Sequence, residues 1–257
     1  MIEICAIASG SNGNCYYAGN ENSAILVDAG ISGKQALIRM EKRNLNPGKI
    51  KAIFISHEHN DHFRCVKAMS KKIGVPVYMT SVTLNGSWKH HRPKNIVLFN
   101  PGDIVTIDDI FVHTFLKKHD AAEPCSFRIE HNGVSVGVFT DIGEPCDNLK
   151  FHLKKCHALF LESNYDPEML WAGSYPYYLK KRIDSEYGHL SNIQAKELLK
   201  EYQHPDLQIL LLSHISQENN LPEIALSVFD EFKDKFRIEV TNRYEAGEVF
   251  VVEGGKV

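Results

Sequence analysis

Three histidines and an aspartate fall within six positions of this chain: His57, His59, Asp61 and His62, in the stretch AIFISHEHNDHF (52–63). The whole chain has 13 histidines in 257 residues, so the crowding is local. Imidazole and carboxylate together suit Zn, Mn or Fe. In a loop after a strand, the alternate residues His57 and His59 point one way toward a first ion, and Asp61 and His62 face a second. Two ions need about seven or eight ligands, and a shared carboxylate holds them roughly 3.5–4 Å apart. Four residues cannot do this alone. His119, Asp141 and His214 are the available partners. His113 competes with His119, but it lies inside the alternating strand pattern IFVHTF, whereas His119 opens the turn-like HDAAEP. A water between two divalent ions loses a proton near neutral pH and becomes a hydroxide nucleophile. The chemistry such a residue set would do is hydrolysis.

The elements that must position these residues are short apolar strands. Asp28 follows AILV, His57 follows AIFIS, Asp141 follows VGVFT, Glu162 follows ALFL and His214 follows ILLLS. A carboxylate or imidazole ends each of them, and strand ends of packed sheets share a rim. IEICAIAS, CYYAG and SAILVDAG read as three successive strands separated by Gly/Asn turns. Residues 33–44 read as a helix with Ala36, Leu37 and Met40 on one side. The stretch 63–74 reads as a second helix, ended by Gly74 with Pro76 behind it. FRIEHNGVSVGVFTD predicts a hairpin on Asn132-Gly133. Strands at HALFLES and LQILLLS alternate with helices at DPEMLWAG, SNIQAKELLKEY and near 221–234. No low-complexity linker interrupts the pattern, so one mixed α/β domain over 1–257 is expected.

Composition excludes several classes. The chain is 43% hydrophobic and 24% charged, enough to bury a core. Its net charge of −3 gives no global basic field for nucleic acid or an anionic membrane, so any polyanion site must be a local patch. No apolar run approaches the ~18–20 residues of a membrane span, and MIEICAIASG lacks the basic start of a signal peptide. The six cysteines are scattered without a C-x-x-C pair, as expected of reduced thiols in a cytoplasmic protein.

H-x-H-x-D-H after a strand, with an aspartate after an earlier strand, resembles the metallo-β-lactamase fold, a four-layer αβ/βα sandwich with a dinuclear site at one edge. ASGSNGNC, HDAAEP, TDIG, LESNYDPEML, GHLSN and LSHISQENN are similar, in order and spacing, to the YycJ/WalJ family of bacterial phosphodiesterases. This resemblance implies that His57, His59 and His119 hold one metal and that Asp61, His62 and His214 hold the other. Asp141 would bridge them, and Asp28 would steady the histidine loop from behind. Tyr165 stands in SNYD where many relatives carry His, which removes that position from the ligand set. His189 and Glu162 resemble the His and acidic positions of the nuclease branches. A Glu that orients His189 makes it a competent general acid; the plainer alternative is a helix-start histidine and a capping glutamate. Asp61, His189 and Glu162 are therefore the expected catalytic residues. The implied activity is a 5′ to 3′ DNA exonuclease with a role in DNA repair, using two Zn or Mn ions, with Fe as a third option. A thioester or lactone hydrolase and a tRNA-processing endoribonuclease are the alternatives. A flavo-diiron role is disfavoured because His59 stands where such proteins carry Glu.

Substrate contacts are expected from two stretches. WAGSYPYYLKKR interleaves Trp171, Tyr175, Tyr177 and Tyr178 with Lys180, Lys181 and Arg182, and aromatic faces beside cations suit single-stranded nucleic acid. A packed aromatic turn followed by a solvated helix face explains it equally well. In SGSNGN, Ser9, Ser11 and Asn12, with Gly10 and Gly13, form either a phosphate cradle of backbone N–H groups or simply a tight turn. The expected partner is nucleic acid, DNA before RNA, with no membrane; the oligomeric state is left open.

Overall fold

The computed structural model describes residues 1–254. Fourteen strands run in chain order: β1 (Ile2–Ala8), β2 (Cys15–Gly19), β3 (Ala24–Val27), β4 (Ile50–Phe54), β5 (Val77–Met79), β6 (Ile96–Leu98), β7 (Ile104–Ile107), β8 (Ile110–Leu116), β9 (Cys125–His131), β10 (Val134–Phe139), β11 (Ala158–Glu162), β12 (Ile209–Ser213), β13 (Arg237–Val240) and β14 (Phe250–Val252). They form two seven-stranded sheets, ordered β14-β1-β2-β3-β4-β5-β6 and β13-β12-β11-β10-β9-β8-β7.

Period-two alternation explains the layers. In β1, Ile2, Ile4 and Ala6 face the other sheet, while Cys5 and Ile7 face the helices outside. In β12, Ile209 and Leu211 face inward between the sheets, and Leu210 and Leu212 face the outer helices. Because both faces of these strands are covered, their sequences read as continuous apolar runs rather than as alternating ones. Ala36, Met40, Val66 and Met69, from the helices Gly33–Lys42 and Val66–Ile73, cover the first sheet. Leu149, Leu153, Leu198, Leu199 and Phe229 cover the second. The result is the expected four-layer αβ/βα sandwich.

Local chemistry sets the element ends. Ser32 caps Gly33–Lys42 by accepting from Gln35 N, and Ser191 with Gln194 forms a capping box on the helix Asn192–Tyr202. Asn132 and Gly133, at φ 48° and 76°, turn β9 into β10 in the left-handed region that a type I′ turn requires. Two helix boundaries differ from expectation. The helix expected over 63–74 begins at Val66, after a separate turn of helix at Asn60–Phe63 that belongs to the histidine loop. The helix near 221–234 divides into Pro222–Val228 and a 3₁₀ turn at Asp230–Phe232. All six cysteines are free thiols, as expected. Among the described residues no helix is long and apolar enough to cross a membrane.

Parallel pairing puts the important strand ends on one rim. β3 runs parallel to β4, with Val27 opposite Phe54. In the other sheet β10, β11 and β12 are parallel, and Phe139, Leu161 and Leu212 lie level. The segments that follow these residues therefore leave the sandwich together. Gly30 closes this rim: it donates to Asn14 O at 2.9 Å, and Arg64 Nε donates to its carbonyl at 2.8 Å. A Cβ at Gly30 would overlap the Asp61 carbonyl and come within 2.6 Å of Asn14 N, both backbone atoms that cannot swing aside. Gly30→Ala is expected to destabilise the fold by about 1–3 kcal/mol, as overpacking does. At about 2–4 °C per kcal/mol for a chain this size, the melting temperature falls by several degrees. An unchanged thermal melt contradicts this view of the rim.

Candidate metal centre

Six buried residues meet at the rim from five strand ends. Asp28 follows β3, His57 lies beyond β4, Asp141 beyond β10, Glu162 ends β11 and His214 follows β12; His62 joins them from the histidine loop. Asp28, Asp141 and His214 take left-handed backbone conformations, with φ 66°, 57° and 56°. Such φ values are strained for a residue with a Cβ, most of all for a bulky one. They turn the chain abruptly at the strand end and aim each side chain inward.

The first ligand group is His57, His59 and His119. His57 Nε2 lies 3.1 Å from His59 Nδ1, which lies 3.3 Å from His119 Nε2. Three ring nitrogens at these separations match the edges of a tetrahedron about an ion with bonds of ~2.1 Å, which are about 3.4 Å. Hydrogen bonds behind the rings leave the facing nitrogens free of protons. Ser56 Oγ donates to Asp28 Oδ2 at 3.0 Å and accepts from His57 Nδ1 at 2.9 Å. His119 Nδ1 donates to Gly188 O at 3.0 Å. Burial pushes the His57 imidazole well below its usual pKa, and that of His119 down to about 3. Both are neutral and carry lone pairs.

The second group is Asp61, His62, Asp141 and His214. His62 Nε2 lies 3.4 Å from Asp61 Oδ2 and 3.2 Å from Asp141 Oδ2. His214 Nε2 lies 3.3 Å from Asp61 Oδ2 and 3.4 Å from Asp141 Oδ1. His62 Nδ1 donates to Asp28 Oδ2 at 2.7 Å. Here the electrostatics reverse. Burial alone would lower both imidazoles, but Asp141, Asp61 and Asp28 carry His62 well above its usual value. Asp141, Asp61 and Glu162 carry His214 up to about 10. Burial would likewise raise the Asp61 and Asp141 carboxyls, yet the same imidazoles hold both well below the usual carboxylate range. These imidazoles and carboxylates are thus paired charges, and a cation bound among them would take the place of the ring protons. Although Asp141 Oδ2 touches His62, it makes no good hydrogen bond, and a buried oxygen left so calls for an ion. The donor set of the two groups fits two divalent ions of the Zn or Mn kind. The His57 and His62 rings are 4.2 Å apart, so the groups adjoin.

Beside the second group, Glu162 Oε1 lies 2.7 Å from His189 Nδ1 and 3.4 Å from His214 Nδ1. Its other oxygen accepts from Ile142 N at 2.6 Å and Leu190 N at 3.3 Å. Asp141, Glu162, His189 and His214 together make a third cluster of ligand-type atoms. His113 stands apart, bonded to Glu130 at 3.1 Å. Tyr165 donates its hydroxyl to Asp184 Oδ1 at 2.6 Å, away from the ligands.

The substrate-contact candidates divide. Lys180 is buried and donates to Trp171 O and Gly173 O at 2.7 and 2.6 Å, so its ammonium locks the segment and does not face a solvent-borne phosphate. Arg182 Nε binds Asp120 Oδ2 at 2.5 Å, beside His119. Lys181 stands over the Trp171 and Tyr177 rings, 5.8 Å from each centroid. Tyr175 packs against the small cluster of Tyr165, Leu170 and Ile183. Ser9 is buried: it shares a hydrogen bond with Tyr16 OH at 2.9 Å and accepts from His214 N at 2.8 Å, so its hydroxyl is tied to the His214 backbone. Ser11 and Asn12 are engaged by Arg243 Nη1 at 3.1 and 3.3 Å.

Sequence reasoning missed several supports. Asn14 Nδ2 donates to Asp61 Oδ2 at 3.2 Å and lies 3.0 Å from His62 Nε2, its amide oriented by Gly10 N and Tyr16 OH. Asn164 Nδ2 reaches the His214 carbonyl at 2.7 Å. Buried Lys117 donates to Thr140 O at 2.6 Å, next to Asp141. The one available signal for Asn14 was its place in SGSNGN.

Residues 8–214 match the family model of the metallo-beta-lactamase superfamily. The chain is 35% identical over 240 residues to exodeoxyribonuclease YycJ of Bacillus anthracis, covering 91% of this chain and 90% of that one. It is 33% identical over 231 residues to exodeoxyribonuclease WalJ of Streptococcus pneumoniae, covering 85% and 83%. Its fold matches the metallo-beta-lactamase fold protein YhfI from Bacillus subtilis with a TM-score of 0.73 at 16% identity, over 96% of this chain and 100% of that one. Fold, ligand-type clusters and sequence agree: the chain is a hydrolase of the metallo-β-lactamase superfamily and belongs to its YycJ/WalJ family.

Proposed function

We propose that this protein is a dinuclear-metal phosphodiesterase that degrades DNA from a 5′ end and serves DNA repair. The observation that carries the reading is the Glu162–His189 pair, 2.7 Å apart, set directly against the second ligand group. A buried carboxylate holding a partly exposed imidazole beside a metal pair is what protonation of an alkoxide leaving group needs. The exodeoxyribonuclease names of the relatives support DNA as substrate.

His57, His59 and His119 would hold one divalent ion and Asp61, His62 and His214 a second, with Asp141 as the carboxylate they would share. Two divalent ions, when bound, supply an acidified water and Lewis-acid stabilisation of the phosphoryl oxygens. The chain does the rest. Asp61, with a side chain 21% exposed, is the carboxylate of the set that reaches the cleft, where it would accept a hydrogen bond from the attacking water and orient it. His189 uses Nδ1 to bind Glu162, which leaves Nε2 to deliver a proton to the leaving oxygen. Burial alone would raise the Glu162 carboxyl, but His189 and His214 hold it down at about 2. It therefore stays ionised and supports the imidazolium. The exposed faces of Trp171, Tyr177 and Tyr178, with Lys181 among them, form a surface suited to stacking bases beside a cation. Arg182, tied to Asp120 beside His119, anchors that surface to the metal centre.

End-labelled DNA and RNA, single- and double-stranded, incubated with the protein and Mn or Zn, are expected to show shortening of DNA from its 5′ end. Internal cuts in RNA would support the endoribonuclease reading. Cleavage of a thioester or lactone with no nucleic acid cut would support a small-molecule hydrolase. Asp141→Ala is expected to lose most of both ions, and His214→Ala mainly one, by elemental analysis of the purified variants; equal losses contradict a shared role for Asp141. His189→Ala should lower turnover by ~10²–10⁴-fold with metal content intact. That defect should shrink on bis-p-nitrophenyl phosphate, whose phenolate leaves without a proton; an undiminished defect, or lost metal, removes His189 from the acid role. Lys181→Ala should weaken single-stranded DNA binding and flatten its salt dependence by up to about 0.7 in log–log slope, one phosphate contact.

A further inference from the structure

A cavity of about 570 Å³ lies on the outer side of the second sheet, between β8, β9 and the helix Asp147–Leu153. The metal centre uses none of its residues. No Asp or Glu lines it, whereas Arg128, Lys155, His113 and His152 do. Three nitrogen donors remain free there. Buried Arg128 spends Nη1 on Glu130 and Ser135, at 2.5 and 2.6 Å, and Nε on His152 Nδ1 at 3.3 Å. Among the described residues its Nη2 has no hydrogen-bond partner, and Arg128 lines the cavity. His152 accepts at Nδ1 and so carries its proton on Nε2, which is also unpartnered. Burial, aided by the Arg128 charge, keeps that ring neutral, with its pKa down at about 4. Among the described residues Lys155 Nζ has no acid partner, and it rests over the Phe151 ring at 3.9 Å. Glu130 offsets one positive charge, but it is occupied by Arg128 and His113 and lies off the lining.

The remaining wall is apolar. Ile104, Leu116 and Phe151 are exposed large side chains, and the Phe115 ring stacks on His152 at 4.1 Å. The volume falls within the ~300–1,000 Å³ of small-molecule sites. We propose that this cavity binds a small organic phosphate. Its phosphate oxygens are held by Arg128 Nη2, His152 Nε2 and Lys155 Nζ, and a flat or apolar body lies against Ile104, Leu116 and Phe151. Three donors on one lining suit the three terminal oxygens of a phosphate monoester better than the two of a carboxylate.

Titration calorimetry on the full chain tests this with deoxyadenosine 5′-monophosphate, deoxyadenosine and inorganic phosphate as probes. Binding is read without turnover, so this proposal and the nuclease reading stand or fall separately. The monophosphate is expected to bind one per cavity, and both fragments to bind at least about tenfold more weakly. Lys155→Ala and Phe151→Ala should each weaken it by about tenfold, the loss of one charged contact or one apolar wall. Arg128 is left in place because Glu130 and Ser135 depend on it. Unchanged thermal melts of both variants show that they fold. No saturable binding overturns the proposal. So does affinity that neither variant lowers, which belongs to the metal centre, and so does inorganic phosphate binding as tightly as the nucleotide.

Discussion

Asp28 holds the site together without facing the cleft. It is fully buried, and its two oxygens accept from Ser56 N at 2.8 Å, Ser56 Oγ at 3.0 Å and His62 Nδ1 at 2.7 Å. Those bonds tie the end of β3 to the loop after β4. They also decide where the protons sit: His62 must present Nε2 to the second group, and Ser56, having donated to Asp28, accepts from His57 and frees its Nε2 for the first. One carboxylate therefore sets the tautomer of a ligand in each group, the usual service of groups behind a metal ligand.

The cost of this arrangement is concentrated in the backbone. Asp28, Asp141 and His214 adopt left-handed φ values that would each cost about 1–3 kcal/mol in isolation. The two sheets over-determine them. Phe54, Phe127 and Phe160 pack in the shared core directly beneath the rim, and parallel pairing fixes the level of each strand end. Electrostatics add a second demand. Imidazoles alone make up the first group, whereas the second mixes carboxylates with imidazoles, so the scaffold must hold two chemically unlike halves side by side. The scaffold maintains both because no residue of either group sits on a free loop; each is one or a few residues from a packed strand or held by a hydrogen bond from behind.

Much of this was legible in the sequence for a physical reason. Strands covered on both faces must be apolar throughout, so AILV, AIFIS, VGVFT, ALFL and ILLLS announce themselves, and the polar residue ending each is visible as an exception. The hairpin at Asn132-Gly133 was legible because few residue pairs tolerate its φ values. What stayed hidden depends on partners distant in the chain. β5, β6, β13 and β14 are three or four residues long and are stabilised by pairing rather than by pattern. Asn14 and Asn164 become supports only when Asp61 and His214 arrive from elsewhere. Lys180 looked like its neighbours Lys181 and Arg182, yet the turn of the helix Tyr177–Ile183 points it inward to two carbonyls. Charge in a run of basic residues says nothing about which of them the helix buries.

The central claim is that two ions sit in two groups that adjoin at this rim. Anomalous diffraction from crystals grown with Zn or Mn measures it most directly. Two peaks are expected, roughly 3.5–4 Å apart as in other two-metal sites. One should lie ~2.1 Å from nitrogens of His57, His59 and His119, and the other should be bound by Asp61, His62 and His214, with Asp141 reaching both. A single peak at full metal loading, or ions held by other residues while these seven stay free, would contradict the account.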